Sequence, residues 1–212
     1  MATRKYQQRL RAESAEETRR RVLDALERRL RDAPTQPVSI EEIATRAGVA
    51  RSTVYLIFGS RAGLFDALAT DLWDRAGLAR LTEAVAHPDA REHLRGGLRA
   101  GVEIFAALRD AANALFAMSS LDPESVGGAM NRLEARRWGG MLHLARRLAE
   151  QDLLRADVTI EDAANILWVL ASFDSFDALY SGRGMTTDDV ARMLITMAER
   201  SLYADPDPAA PA

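Results

Sequence analysis

Hydrophobic residues recur along this chain with the spacing of one face of an α-helix, from about residue 15 to about residue 203. Between residues 15 and 32 the stripe consists of Val22, Leu23, Leu26 and Leu30. Further helices are predicted at about 60–80, 88–108, 109–119, 123–151, 159–181 and 187–203, with two short ones between 39 and 58. No segment has the alternating pattern of a half-buried strand, so the sequence predicts an all-α fold.

The segment from residue 39 to residue 58 has the most specific local signals. Ser39 is placed to accept a hydrogen bond from the amide of Glu42, while the Glu42 carboxylate reaches back to the amide of Ser39. This capping box sets the start of a first short helix. Gly48 stands where that helix should end in the left-handed conformation, which glycine adopts without steric cost. A sharp turn between two short helices is therefore predicted.

The second short helix has an apolar back and a polar front. Its inner residues are Val54, Ile57 and Phe58, and its outward residues are Arg51, Ser52, Tyr55 and, less squarely, Leu56. A helix divided in this way after a sharp turn is typical of a helix-turn-helix, which places its second helix in the major groove of DNA. Similar helix pairs also occur in all-α proteins that do not bind DNA, so the pattern alone leaves both interpretations open.

One set of residues in and just after this segment forms a recognisable motif: Ile43-Ala44, Ala47-Gly48-Val49, Thr53-Val54-Tyr55, Phe58 and the run Gly59-Ser60-Arg61-Ala62-Gly63-Leu64-Phe65. These residues resemble the DNA-binding motif of TetR-family transcriptional regulators. Ala50 replaces the capping Ser or Pro that is common in the family, which predicts a recognition helix without a side-chain cap. The resemblance implies a three-helix DNA-binding domain, a connecting helix that Ser60 caps, and a larger helical domain for effector binding and dimerisation.

The candidate DNA contacts lie on the second short helix and at the starts of its neighbours. They are Ser39, Arg51, Ser52, Thr53, Tyr55, Leu56 and Arg61. We expect Arg51, Ser52 and Thr53 to approach bases or phosphates. Tyr55 and Arg61 are expected to contact phosphates, which orient a protein on DNA without reading its sequence. Leu56 is a candidate for contact with the methyl group of thymine.

The charge is unevenly distributed. Residues 1–61 contain thirteen Lys or Arg and eight Asp or Glu, a balance of +5. Since the whole chain carries −3, residues 62–212 carry −8. A basic end followed by an acidic remainder favours a protein that offers one face to phosphates. The same balance also arises from chance clustering of solvated charges.

Three regions are predicted along the chain. They are an N-terminal arm with the helix-turn-helix domain at 1–61, a helical effector-binding and dimerisation domain at 62–204, and a disordered tail at 205–212. Residues 1–15 are either a frayed arm or an extension of the next helix. The prolines and small residues of 205–212 are typical of disorder.

Composition excludes several classes of protein. The chain contains no cysteine, so disulfides and thiolate metal sites are excluded. No apolar run reaches about 18 residues, and no apolar segment follows the basic N-terminus, so neither a membrane span nor a signal peptide is predicted. We therefore expect a cytoplasmic protein.

The segment 159–181 is apolar on almost every side, so it must be buried on more than one side. One account buries it inside the monomer, and the other buries it between the body and a second copy of the chain. The run Leu167–Phe176 also resembles the penultimate helix of many TetR-like regulators, where the last two long helices form a dimer interface. The residues predicted at such an interface are Leu167, Ala171, Met193 and Met197.

The resemblance also implies a small-molecule pocket in the acidic body. The candidate lining residues are Phe105, Leu108, Phe116, Met118, Trp138, Met141, Trp168 and Phe173. Apolar pockets with a few polar groups are the common form of ligand site. The alternative is that most of these residues are simply core. Asp174 and Asp177 are either surface residues of a last helical turn or partners of a cationic ligand.

An enzyme is the competing class of function. His87, His93 and His143 have no spacing for a metal site, and no nucleophile elbow, phosphate loop or dinucleotide motif occurs. No metal, cofactor or catalytic residue is therefore predicted. We expect a homodimeric, ligand-responsive repressor that binds double-stranded DNA at an inverted-repeat operator. A constitutive DNA-binding protein without an effector is the alternative, and an all-α enzyme is less favoured.

Overall fold

The computed structural model describes the backbone of residues 2–34 and 36–204 and the side chains of residues 13–34 and 36–204. The helices within these residues are α1 (Ala2–Asp32), α2 (Ile40–Ala47), α3 (Arg51–Phe58), α4 (Arg61–Ala76), α5 (Leu78–Ala86), α6 (Ala90–Leu121), a π-helical turn (Pro123–Gly127), α7 (Gly128–Glu150), α8 (Ile160–Leu170), α9 (Phe173–Tyr180) and α10 (Thr187–Leu202). The described residues form no strand, only a single antiparallel bridge between Leu154 and Tyr203. The predicted all-α fold is confirmed.

The structure describes the segment before residue 15 but not the tail after residue 204. Residues 2–15 continue α1, which agrees with the second of the two alternatives for this segment, the extension of the following helix. The predicted disordered tail, residues 205–212, lies outside the described residues.

Two predicted boundaries in the first half of the body were wrong. The connecting helix does not run to Arg80, because Gly77 takes a φ of 114° and separates α4 from α5. The predicted break between residues 108 and 109 does not occur, since α6 is continuous from Ala90 to Leu121.

Two further boundaries fall inside segments that were predicted as single helices. The segment 123–151 begins with the π-helical turn, where Asp122 Oδ1 accepts from the Ser125 amide at 3.1 Å. The segment 159–181 divides into α8 and α9 at Ala171 and Ser172. Ser172 Oγ accepts from the Ser175 amide at 3.1 Å and so caps the start of α9.

The chain divides into two compact units. Unit 1 comprises residues 1–72 and 110–131, and unit 2 comprises residues 73–109 and 132–212. Residues of α6 thus belong to both units. Among the described residues, no helix is both long enough and apolar enough to cross a membrane.

The core of unit 1 is built on the predicted stripe of α1. Val22, Leu23, Leu26 and Leu30 are all buried. Buried residues of the following helices complete this core; they include Ile43, Val54, Leu64, Phe65 and Leu68. The predicted stripe of α1 is therefore confirmed.

Unit 2 contains an aromatic cluster. Phe105 makes edge-to-face contacts with Trp73 and Phe173, with ring centroids 6.0 Å and 5.6 Å away. Phe176 is fully buried and stacks on Tyr180 at 5.0 Å. Aromatic pairs in these geometries stabilise a core beyond the area that they bury.

Candidate nucleic-acid interface

The α2–turn–α3 segment has the predicted helix-turn-helix geometry. Ser39 Oγ accepts from the Glu42 amide at 3.1 Å and caps α2. Gly48 takes φ 65° and ψ 41°, and the Gly48 amide donates to Thr45 O at 3.1 Å. The Val49 amide donates to Ala44 O at 3.0 Å. These bonds satisfy the last carbonyls of α2 and turn the chain sharply into α3.

The reciprocal half of the capping box was predicted wrongly. Glu42 Oε1 accepts instead from Arg29 Nε at 2.7 Å and from Arg46 Nε at 3.1 Å. Arg29 is only 4% exposed and also donates to Ala33 O at 2.8 Å and Pro37 O at 3.0 Å. A charge-assisted pair with a buried guanidinium is stronger than a bond to one amide, so the Glu42 carboxylate follows Arg29.

Several basic side chains of α1 serve the scaffold. Arg21 donates to the carbonyl oxygens of Ala47 and Gly48, the second at 3.2 Å. The Arg19 guanidinium lies over the Phe58 ring, 5.1 Å from its centroid. Part of the positive balance of residues 1–61 is therefore used to hold α1 against the helix-turn-helix.

The inner face of α3 anchors that helix. Val54 is 1% exposed and Phe58 is 9% exposed, while Ile57 is half-buried. Ala50 precedes the helix without a side-chain hydrogen bond, as predicted. The position of α3 is therefore fixed from behind by packing.

The outer face of α3 is open to solvent. Arg51 and Ser52 are exposed, Tyr55 is 40% exposed and Leu56 is 87% exposed, whereas Thr53 is half-buried. The Arg51 guanidinium lies 5.6 Å from the centroid of the Tyr55 ring. The side chain of Tyr55 raises the pKa of Arg51, so this exposed side chain stays charged.

The start of α4 joins this face to the rest of unit 1. Ser60 Oγ accepts from the Gly63 amide at 2.9 Å, which confirms the predicted cap. The Arg61 guanidinium lies 2.7 Å from Asp122 Oδ2 and 5.9 Å from the Phe65 ring centroid. Arg61 therefore has an acidic partner in its own unit, which the sequence did not indicate, and a phosphate would have to compete with Asp122.

The predicted pocket residues fall in both units. Phe105 and Phe173 meet in the aromatic cluster of unit 2. Leu108, Trp138 and Met141 also belong to unit 2 and are half-buried. In unit 1, Met118 is fully buried and Phe116 is 37% exposed. Trp168 is 38% exposed, with the Arg137 guanidinium 4.7 Å from its ring centroid.

The two acidic residues of α9 have different surroundings. Asp177 Oδ1 lies 2.7 Å from Arg109 Nε and also accepts from the Ser181 hydroxyl. The bond from Ser181, followed by that from Arg109, lowers the pKa of Asp177. Asp177 therefore already has a cationic partner, whereas Asp174 is exposed. The described residues contain no group of three or more His, Asp or Glu that could hold a metal ion.

Of the residues predicted at a dimer interface, some are exposed and others are buried within the chain. Met193 and Met197 are 42% and 47% exposed on α10, but Leu167 is fully buried within the single chain and Ala171 is half-buried. Leu167 therefore has no surface to offer a partner. The exposed apolar residues of α8 are Ile160, Trp168 and Val169. The sequence pattern did not distinguish these residues from Leu167. Segment 159–181 is apolar on almost every side, so the pattern did not show which side of α8 packs against the rest of unit 2.

Comparison with known protein families agrees with this geometry. Residues 22–68 match the sequence model described as bacterial regulatory proteins of the tetR family. The N-terminal region of this chain is therefore similar to the bacterial regulatory proteins of the tetR family. The match runs from the buried stripe of α1, through α2 and α3, into α4, so it includes the whole helix-turn-helix.

Solved structures extend the likeness to the TetR fold as a whole. Native NalD from Pseudomonas aeruginosa, the secondary repressor of the MexAB-OprM multidrug efflux pump, has a TM-score of 0.71 at 23% identity, over 91% of this chain and 98% of NalD. A TetR-family transcription regulator from Marinobacter aquaeolei VT8 has a TM-score of 0.64 at 17% identity, over 92% of this chain and 100% of that chain. No curated protein matches the sequence. The chain thus has the fold of a TetR-family transcriptional regulator.

Proposed function

We propose that this protein is a sequence-specific transcriptional repressor that binds an inverted-repeat operator as a homodimer and leaves it when a small-molecule effector binds. The observation that carries the proposal is the outer face of α3. Arg51, Ser52 and Leu56 are exposed there, while Val54 and Phe58 anchor the helix from behind. A short, rigid helix with a free outer face fits the major groove.

The contacts divide into reading and positioning roles. Arg51 is the residue best suited to a guanine, because a guanidinium can bond both O6 and N7. Ser52 and Thr53 lie beside it at the start of α3 and reach bases or phosphates. Tyr55 and Ser39 contact phosphates, which set the register of the protein on the duplex.

The exposed apolar residues of unit 2 support the homodimer. Helices α8 and α10 pack against each other, and Trp168, Val169, Met193 and Met197 remain exposed on them. Burying these residues against a second copy removes apolar surface from water, which favours association. A two-fold symmetric dimer requires a two-fold symmetric DNA site, which is an inverted repeat.

The proposal also includes repression of transcription and release of the operator when an effector binds. NalD, which shares the fold, is described as a repressor. We place the effector site in the apolar interior of unit 2, near Phe105, Leu108, Trp138, Met141 and Phe173. An effector that binds better to a form with low operator affinity shifts the population towards it, and linkage requires operator DNA to weaken effector binding by the same factor.

The test is selection of duplexes from a random DNA pool by the purified protein at near-physiological salt, followed by sequencing. Enrichment of an inverted repeat is the expected result. Retention of DNA without a common sequence would indicate electrostatic binding alone. If no DNA is retained, the alternative that the protein is an enzyme would be favoured. With an operator in hand, a metabolite panel that never changes DNA affinity would favour the constitutive binder.

A further inference from the structure

The most exposed large apolar side chain of the molecule's described part lies on the outer face of α3. Leu56 is 87% exposed, whereas Val54 and Phe58, two positions before and after it, are buried. Leu56 therefore contributes almost nothing to the packing of unit 1. Single exposed leucines are common on protein surfaces, so exposure alone assigns no role. A role for Leu56 therefore has to be inferred from the other side chains on the outer face of α3.

The outer face of α3 consists of two rows of side chains. Arg51 and Tyr55 form one row, in which the guanidinium lies over the ring at 5.6 Å. Ser52 and Leu56 form the other row, because residues four apart lie on the same side of a helix with Cβ atoms about 5–6 Å apart. The first row carries charge and hydrogen-bonding groups, and the second ends in a branched alkyl group that can only make apolar contacts.

The major groove offers one apolar group at the base edges, the C5 methyl of thymine. We propose that Leu56 is a specificity-determining residue that reads the methyl group of one thymine in each half-site. This inference rests on the proposed function, since it requires α3 to lie in the major groove. Because base pairs rise by about 3.4 Å, the thymine lies one or two base pairs from the pair that Ser52 approaches.

The experiment removes the methyl group from the DNA and the alkyl group from the protein. Each thymine in one half-site of the selected operator is replaced singly by deoxyuridine, which keeps the hydrogen-bonding edge and lacks only the methyl. Dissociation constants are measured for the native chain, Leu56→Gln and Leu56→Met. Leu121→Gln serves as the matched control, because Leu121 is also a largely exposed leucine, at 55%, and lies outside α3.

At one thymine we expect the native chain to bind the deoxyuridine duplex about fourfold more weakly, the loss that burial of one methyl group implies. Leu56→Gln should bind both duplexes equally there, while Leu56→Met and Leu121→Gln should keep the difference. Unchanged thermal midpoints would show that the variants fold, as the exposure of Leu56 predicts.

Two results would overturn the inference. One is that no thymine in the half-site responds to loss of its methyl, and the other is that Leu56→Gln keeps the full difference at the thymine that does respond. Both results require an operator that the protein binds. Failure of the inference is therefore distinguishable from failure of the proposed function, in which no operator would be enriched at all.

Discussion

At the scale of single residues, Gly63 leaves no room for a side chain. A β-carbon on Gly63 would lie 2.1 Å from the carbonyl oxygen of Phe58, far inside van der Waals contact. Gly139 lies on α7 and is exposed, and nothing lies within 4 Å of the corresponding point. The same chemical change therefore has opposite consequences at the two positions.

We expect Gly63→Ala to destabilise the fold by about 1–3 kcal/mol, because the backbone at the junction of α3 and α4 must shift to admit the methyl group. Gly139→Ala should stabilise it by about 0.5–1 kcal/mol, since alanine loses less backbone entropy in a helix. Urea unfolding of both variants measures the two changes. Equal effects in the two variants would show that the Phe58 carbonyl does not constrain Gly63.

His93 is a buried residue whose charge state is linked to folding. It is 4% exposed, and Arg147 approaches its Nδ1 at 3.0 Å. Burial, then the charge of Arg147 and the neighbouring His143, lowers the pKa of His93 from 6.5 to about 4. The folded chain therefore keeps His93 neutral where the unfolded chain protonates it.

Between the folded pKa of about 4 and the ordinary value of 6.5, the unfolded chain binds more protons at this site, so stability falls as the pH falls. We expect the free energy of unfolding to decrease by about 2 kcal/mol from pH 7 to pH 5 on account of His93. His93→Gln should remove most of that slope. A slope of the same size in the variant would assign the pH dependence to other groups.

At the scale of helices, local signals in the sequence predicted some boundaries and missed others. Ser39 and Ser60 cap α2 and α4 through bonds that span three residues, so their sequence neighbourhood was sufficient. The end of α4 at Gly77 was missed, because the apolar pattern continues and a glycine alone costs a helix only about 1 kcal/mol. The positive φ of Gly77 makes the break. Unlike at Gly48, the apolar pattern does not stop at this glycine.

The parts of the candidate site that sequence did not predict depend on contacts between distant residues. Arg29 reaches Glu42 across 13 positions and Arg21 reaches Gly48 across 27. The charge balance of residues 1–61 favoured a role for such arginines in DNA binding. In the structure they bond to the helix-turn-helix instead and hold α1 against α2. The outer face of α3 was predictable because a single helix determines it.

The ion pair between the start of α4 and the turn before α7 makes a prediction about Arg61. Asp122→Asn keeps the cap on the π-helical turn, since an amide oxygen can also accept from Ser125, but removes the charge that holds Arg61. If Arg61 contacts phosphate, affinity for the operator should rise about two- to fivefold, as release from a partly exposed ion pair allows.

A matched variant controls for the change in net charge. Asp157→Asn removes one negative charge from an exposed pair with Arg155 in unit 2. Fluorescence anisotropy with labelled operator compares the two variants. The same affinity for both would mean that Arg61 does not contact the DNA.

At the scale of the whole molecule, binding to an inverted repeat requires two copies of the chain. Met193 and Met197 lie one turn apart on α10 and are nearly half exposed. We expect Met193→Glu combined with Met197→Glu to convert a dimer into a monomer in sedimentation velocity, because two carboxylates would have to be buried in the interface. Val85→Glu, which charges a similarly exposed apolar residue on α5, should remain a dimer. A double variant that still sediments as a dimer would place the interface elsewhere.

Two arginine substitutions test directly whether the outer face of α3 reads DNA. Arg51 lies on that face, whereas Arg31 is exposed on α1 beside Glu27. Dissociation constants for the selected operator at near-physiological salt should rise at least about fivefold for Arg51→Ala, with loss of preference at one guanine, and change little for Arg31→Ala. Equal effects of the two substitutions, with sequence preference intact in both, would show that Arg51 on the outer face of α3 does not read the operator.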